Sequence, residues 1–388
     1  MKRIFLIFLL LLTSFSVFAF DFGGILSTTS YAQDSVSNLS FNQYVESSLW
    51  MRANFGKNTT LTSEAFYSFN GDFANEAEVQ TGKKSTFINK LDLSSLKLTT
   101  KFNLENNSAL NLSLGRFLIN DFSGVVFAQK LDSFALSFIN ENAIINFYTG
   151  YTGLLNQYTV SMYSPDFVPE SNPFYTFAPP YIVANVSAKF PVLFASQNLG
   201  FEVYTALDSK DFSYNRIFSA ISFDGPIYKS LYYALISTFQ FNIGTYPEKS
   251  NFGNLTKAEI SWFSGVKSFI LSANVTYLSD SFTPITSTDV LSDGSDLDSV
   301  LKTGIFASVK PLDKLFLSLG SDFAFDVAEN NSIQDYKGFQ YSAQIRYELF
   351  DDVLLNVSAS QIFYNQQNPV YQNQEPYLTL KAHVRISF

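Results

Sequence analysis

Apolar and polar residues alternate along much of this chain, most regularly in its last stretch, residues 376–388. From Leu378 onward every second residue is apolar, and a polar residue stands between each pair of them. Successive side chains of a β-strand point to opposite faces, so this pattern predicts a strand with one oily and one wet face. The predicted strand ends on an aromatic residue, Phe388.

The same alternation recurs upstream, in segments near 44–55, 96–104, 315–327 and 339–349. These segments are roughly twice the ~5–6 residues of an ordinary globular strand. A tilted membrane-spanning strand needs ~9–11 residues, which these segments supply. After the N-terminal leader, no apolar run approaches the length of a membrane helix. The pattern therefore predicts an all-β chain whose strands cross a membrane.

The connections between the predicted strands alternate between short and long. Short turns are predicted at 56–58, 105–107, 140–142, 224–226, 264–267, 310–313 and 350–352. Long links are predicted at 71–86, 117–132, 152–180, 244–253, 279–299, 328–337 and 364–375, with a medium one at 207–211. Short turns on one rim and long loops on the other are typical of outer-membrane barrels. With a first strand at 22–31, the count is about 18 strands, with 16 as the alternative.

An alternating strand that ends the chain on Phe388 resembles the closing strand of Gram-negative outer-membrane β-barrels. In those barrels the terminal phenylalanine acts as an assembly signal. The resemblance implies a transmembrane antiparallel up-and-down β-barrel in the cell outer membrane. It also implies contact with outer-membrane lipid, and recognition of the C-terminal strand by the barrel-assembly machinery.

The N-terminus has the organisation of a secretory signal. Lys2 and Arg3 precede the apolar residues 4–12, and Val17-Phe18-Ala19 forms a suitable cleavage site. The apolar run is shorter than the ~20 residues of a membrane helix, which argues against an anchor. Residues 1–19 are therefore predicted to be a cleaved signal peptide, and residues 20–388 the barrel.

Composition narrows the function further. The formal net charge is −9, and nucleic-acid binding relies on clustered Lys and Arg, so a nucleic-acid partner is not expected. Cysteine is absent, so disulfides and thiolate metal sites are not available. Aromatic residues make up 17% of the chain, which suits a barrel with a lipid-facing exterior.

A barrel of this size is too wide for its own side chains to fill, so it encloses an aqueous lumen unless a domain plugs it. Strand-like sequence begins within a few residues of the predicted cleavage site, so no N-terminal plug is expected. The sequence thus predicts a porin through which small hydrophilic solutes diffuse passively. By strand parity, the basic residues of the inner wall are Arg52, Lys97, Lys101, Arg216, Lys257, Lys302, Arg346, Lys381 and Arg385. Acidic residues of the same parity are Glu46, Glu64, Glu259, Asp322, Asp326 and Glu348.

The segment 117–132, which follows Leu114-Gly115-Arg116, resembles the third external loop of general and sugar-type porins in position, length and composition. The resemblance implies that this loop folds into the barrel and narrows it, and that the protein is a homotrimer. The implied constriction residues are Arg116, Asp121, Lys130 and Asp132, with Arg116 and Asp121 as a pair. Arg116 shares the parity of Leu114, so a bulge is needed to turn it inward.

Particular residues indicate alternative functions. The inward aromatic residues Trp50, Phe66, Phe218 and Phe306 favour a transporter for apolar molecules, and the long loop at 154–180 favours a surface adhesin.

The acidic loop with Asp289, Asp293, Asp296 and Asp298 lacks the closing glutamate of a calcium loop, so no metal is predicted. His383, the single histidine, has no nucleophile or metalloprotease motif around it, so no catalytic residue and no cofactor are expected.

Overall fold

The computed structural model of the chain is built almost wholly from antiparallel β-strands. It describes residues 19–35, 38–73, 85–160, 162, 175–210, 214–244, 251–286, 299–327, 335–368, 371 and 374–388. The predicted signal peptide lies outside these residues, except that Ala19 is the first residue of β1. The predicted acidic loop also lies outside them, since residues 287–298 are not described.

Eighteen strands follow one another along the chain. They are β1 (Ala19–Ser35), β2 (Asn38–Phe55), β3 (Thr59–Phe73), β4 (Thr86–Asn103), β5 (Ala109–Asn120), β6 (Ala128–Ile139), β7 (Ile144–Tyr151), β8 (Tyr181–Phe194), β9 (Gln197–Asp208), β10 (Arg216–Tyr228), β11 (Leu231–Asn242), β12 (Phe252–Phe263), β13 (Ile270–Leu278), β14 (Val300–Leu312), β15 (Leu315–Asp326), β16 (Asp335–Phe350), β17 (Val353–Tyr364) and β18 (Tyr377–Ser387). Among the described residues, a 3-10 turn, Gln157–Thr159, lies between β7 and β8. In the described parts of the chain, no helix is long and apolar enough to cross a membrane.

Each strand pairs antiparallel with its neighbours in the chain, and β18 pairs with β1, so the sheet closes on itself. Phe388 completes the closing seam. Its backbone N–H donates to the Gly24 carbonyl at 3.0 Å, and its carbonyl accepts from the Gly24 N–H at 2.8 Å. The predicted all-β up-and-down barrel of about 18 strands is confirmed, and the alternative of 16 strands is wrong.

The outer face of the barrel is apolar. Leu49 on β2, Leu91 on β4 and Leu319 on β15 are all largely exposed on this face. Aromatic rings stack between neighbouring strands on this face near the long-loop rim, as in Phe69–Phe87 at 5.9 Å and Phe323–Phe339 at 5.9 Å. Aromatic girdles at the edge of an apolar band are typical of barrels that sit in lipid.

Two of the predicted short turns are displaced. β10 runs through Pro226 to Tyr228, and β14 runs through Pro311 to Leu312. The turns, at 229–230 and 313–314, therefore begin three or more residues later than predicted. In both strands the pairing register shifts close to the proline. Proline lacks the N–H that a sheet ladder needs, and an irregularity near the strand end accommodates it. The first strand is also longer than predicted, at Ala19–Ser35 rather than 22–31.

Candidate functional site

The β5–β6 hairpin extends beyond the barrel wall. β4 pairs with β5 only as far as Arg116, and β7 pairs with β6 only from Asp132 onward. Between these limits, residues 117–120 of β5 pair only with residues 128–131 of β6. We call residues 117–131 the inner hairpin. Within the described chain, neither of its long edges continues the backbone ladder with a neighbouring strand of the wall.

Gly115 stands where β5 leaves the wall. Its φ is +118°, a backbone conformation that residues with a side chain rarely adopt. A Cβ atom at this position would collide with the carbonyl oxygen of Leu96 on β4. The neighbouring strand also has a register irregularity, because Ser94 of β4 has no partner on β3. Glycine and the bulge together let the two strands separate at this point.

The tip of the inner hairpin contacts parts of the barrel that are far from β5 and β6 in the sheet. The N–H of Phe122 donates to Glu202 Oε2 on β9 at 2.8 Å, and Lys257 Nζ on β12 donates to the Ser123 carbonyl at 2.9 Å. Ile285, between β13 and β14, donates its N–H to the Val126 carbonyl at 2.9 Å. Strands that are not neighbours in a closed sheet can be joined at mid-strand only through its interior. The inner hairpin therefore lies inside the barrel.

One face of the inner hairpin is buried against the wall. Phe117 and Leu131 belong to a single apolar cluster with residues of β7 to β10 and of the β13–β14 link. Within it, Tyr204 stacks on Phe218 with ring centres 4.6 Å apart, and Phe282 meets Phe218 edge-on at 6.0 Å. This packing occupies the interior beside β7 to β10.

The opposite face of the inner hairpin is anchored by Arg116. Its guanidinium binds Asp132 with two parallel bonds, Nε–Oδ1 and Nη2–Oδ2, both at 2.8 Å. Nη1 also contacts Asp92 Oδ1 on β4 at 3.3 Å, and Nη2 donates to the Leu154 carbonyl at 2.9 Å. Arg116 is nine-tenths buried. It thus joins β4, β6 and the β7–β8 link at the point where the hairpin leaves the wall.

Between this face and strands β1 to β4 lies a cavity of about 480 Å³, which we call the β1–β4 compartment. Its lining residues are Ile25, Ser27, Tyr44, Glu46, Ser48, Glu64, Phe66, Ser68, Asn70, Lys90, Ser94, Lys130, Thr159 and Val160. Among these lining residues, Lys130 belongs to the inner hairpin. Its ammonium donates to Ser94 Oγ at 2.8 Å and lies 5.5 Å from the centre of the Phe66 ring.

Asp121 closes the tip of the hairpin and does not pair with Arg116. Its Oδ1 accepts from the N–H of Phe127 at 2.9 Å, and its Oδ2 accepts from the N–H and the hydroxyl of Ser123. Burial raises the pKa of the Asp121 carboxyl, while these donors act in the opposite direction. Arg116 therefore pairs with Asp132 instead of the predicted Asp121, whose oxygens are occupied by donors of the hairpin tip.

The predicted inner basic residues fall into two groups. Around the hairpin, Lys97 lies 4.5 Å from the Phe117 ring centre, and the buried Arg216 donates to the Thr283 carbonyl at 2.8 Å. On the remaining wall, Lys302 pairs with Asp322 at 3.7 Å, and Arg346 pairs with Glu348 at 3.1 Å.

Strand register gives the face of the other basic residues. Lys381 lies 5.1 Å from the ring centre of Tyr31 on β1. Arg385 is opposite Ser27, a residue that lines the β1–β4 compartment, and so shares its face. Arg52 is opposite Thr62, which is opposite Lys97, so Arg52 and Lys97 share a face. Lys101 lies four residues after Lys97 on β4 and therefore has the same parity.

Several residues of this interior were not singled out by the sequence. Asp92, Lys90, Glu202 and Thr286 contribute to the hairpin's surroundings, and Thr286 Oγ1 accepts from the Ala128 N–H at 2.8 Å. Asp92 and Lys90 alternate with leucines on β4, a signal that parity alone would have found. Thr286 carried no such signal, because it lies in a link. His383 Nδ1 lies 2.8 Å from Thr29 Oγ1, and the described residues contain no cluster of three metal-ligating side chains.

Neither the family models nor the curated proteins include a match to this chain. Solved structures do match in fold. OccK9 (OpdG) of Pseudomonas aeruginosa is similar with a TM-score of 0.64 at 10% identity, covering 95% of this chain and 98% of its own. OccK2 (OpdF) of the same organism gives 0.63 at 10% identity, covering 95% and 97%. OpdK of that organism, solved with vanillate, gives 0.60 at 9% identity, covering 95% and 98%. The architecture is therefore that of outer-membrane porins.

Proposed function

We propose that this protein is a porin of the outer membrane that lets small hydrophilic solutes diffuse through its lumen. The observation that carries the proposal is a closed 18-stranded barrel with an apolar exterior and a charged inner wall, crossed by a hairpin. A barrel of this width holds water unless a domain fills it. Charged groups along a water-filled passage bias it toward ions and polar solutes.

The inner hairpin is the proposed constriction. Lys130 is its residue on the passage side, and the Arg116–Asp132 pair holds its base. Asp121 contributes by holding the tip in shape. Because the apolar cluster is covered by the hairpin, it offers no surface to a passing apolar molecule. This arrangement favours a hydrophilic solute over the apolar one that the aromatic content suggested.

Planar-bilayer recording of the refolded protein tests the function. The expected result is stepwise ion current in KCl, with a conductance that falls when neutral polymers small enough to enter the lumen are added. Polymers too large to enter leave the conductance unchanged. A protein that inserts into the bilayer and carries no current under any voltage or salt would contradict the proposal.

A further inference from the structure

The β1–β4 compartment contains charged groups of both signs. Glu46 on β2 and Glu64 on β3 supply two carboxylates, while Lys90 on β4 and Lys130 on the inner hairpin supply two ammonium groups. The compartment lies on the side of the hairpin that the apolar cluster does not fill. A solute that crosses the barrel on this side therefore passes all four groups.

Glu46, Glu64 and Lys130 form no ion pair within the part of the chain that the structure describes, whereas other charged groups of the barrel do. Lys302 and Asp322 form an ion pair, as do Lys189 and Asp224. By contrast, Lys130 uses its ammonium on a neutral hydroxyl, and Glu46 accepts only a long bond from Ser27 Oγ at 3.5 Å. Glu64 takes part in no ion pair among the residues that the structure describes.

The balance of charges in the compartment decides which class of solute it attracts most strongly. An anion would be attracted by two ammonium groups but repelled by two carboxylates in the same small space, and a cation would meet the reverse. A neutral polar molecule is attracted by neither the ammonium groups nor the carboxylates as an ion would be. A molecule with an ammonium at one end and a carboxylate at the other can contact Glu64 and Lys130 with opposite ends. A volume of about 480 Å³ is within the ~300–1,000 Å³ of small-molecule sites.

We propose that the β1–β4 compartment is a binding subsite for small zwitterionic solutes, with Glu64 and Lys130 as the residues that recognise the two charged ends. This proposal rests on the porin function proposed above. Because Lys130 is carried by the inner hairpin and Glu64 by the wall, a bound solute spans the gap between the two.

Single-channel recording tests the proposal with four solutes of similar size: 4-aminobutyrate, butyrate, butylammonium and butyramide. The concentration that interrupts half of the KCl current is measured for each. We expect 4-aminobutyrate to act at a concentration lower than the other three by about threefold, the effect of a modest ion-pair energy. Glu64→Gln should shift the preference to butyrate, and Lys130→Gln should shift it to butylammonium.

The matched control is the double variant Lys302→Gln/Asp322→Asn, which neutralises a lumen pair outside the compartment and should keep the preference for 4-aminobutyrate. Equal half-blocking concentrations for all four solutes would overturn the subsite. So would an unchanged preference in the double variant Glu64→Gln/Lys130→Gln that still conducts. Absence of ion current in the unaltered protein would instead overturn the porin function, and the subsite with it.

Discussion

Arg116 and Asp132 face each other across the base of the inner hairpin, joined by two parallel hydrogen bonds of 2.8 Å. Both side chains have the parity of lipid-facing neighbours, such as Leu114 on β5. They are nevertheless inside the barrel, because β5 and β6 leave the wall at this pair and carry their outer face over the lumen. The ion pair therefore marks the base of the proposed constriction.

Replacing Arg116 by Met should destabilise the barrel and loosen the hairpin. Asp92 and Asp132 would be left beside an apolar side chain, and removal of one partner from a buried pair typically costs about 3–5 kcal/mol. Urea unfolding in detergent or lipid vesicles measures the loss. Arg346→Met is the control, because the Arg346–Glu348 pair is exposed and is expected to contribute only about 0–1 kcal/mol. Equal losses in the two variants would contradict the role of Arg116.

Lys257→Met should release the tip of the inner hairpin. The variant removes the hydrogen bond from Lys257 to the Ser123 carbonyl, the tip's contact with β12. A less restrained tip should give noisier open-channel current and a larger mean conductance in bilayer recordings. Lys302→Met removes an inward lysine on the same side of the barrel without touching the hairpin, so its current noise should stay at the native level. Identical noise in both variants and in the unaltered protein would argue against the tether.

Gly115→Ala should prevent the separation of β4 and β5. The added methyl group would overlap the Leu96 carbonyl oxygen, and a φ of +118° is strained for alanine, with a cost of about 1–3 kcal/mol for such backbone strain. We expect a lower yield of heat-resistant folded barrel on gels. Gly265→Ala, in the open turn between β12 and β13, should fold normally. Normal folding of both variants would count against the strain at Gly115.

We infer that Phe388 serves assembly in the cell more than stability of the finished barrel. Its ring is largely exposed and lies over Gly24, while the two hydrogen bonds of the seam are made by backbone atoms, which alanine would retain. Phe388→Ala should therefore reduce the amount of assembled barrel in cells. The refolded protein should keep its unfolding midpoint, since a surface change of this kind usually alters stability by less than about 0.5 kcal/mol. A lowered midpoint with normal cellular assembly would reverse the inference.

The strands were predictable because lipid and water impose opposite demands on the two faces of each one. Leu378, Leu380 and Ala382 alternate with polar residues for this reason, and the long and short links follow from the two rims. Prediction was less accurate at Pro226 and Pro311, where turn-forming residues lie inside strand ends at a register irregularity.

The arrangement of the interior was less accessible from the sequence. Parity assigned Arg116 to the outer face, because parity assumes that a strand stays in the wall along its whole length. β5 does not stay in the wall, because Gly115 and the bulge at Ser94 let it separate from β4. The contacts of the tip with Glu202, Lys257 and Thr286 join segments far apart in the chain. Such contacts depend on the closed barrel and carry no local sequence pattern.

We propose that the inner hairpin narrows a water-filled pore. The decisive comparison is between the single-channel conductance of the protein and that of a variant in which residues 121–127 are replaced by a short glycine turn. Both proteins are first checked as folded, heat-resistant barrels. We expect ohmic current in both, with a clearly larger conductance in the shortened variant. Equal conductance would show that the hairpin does not limit the pore, and no current in either would contradict the pore itself.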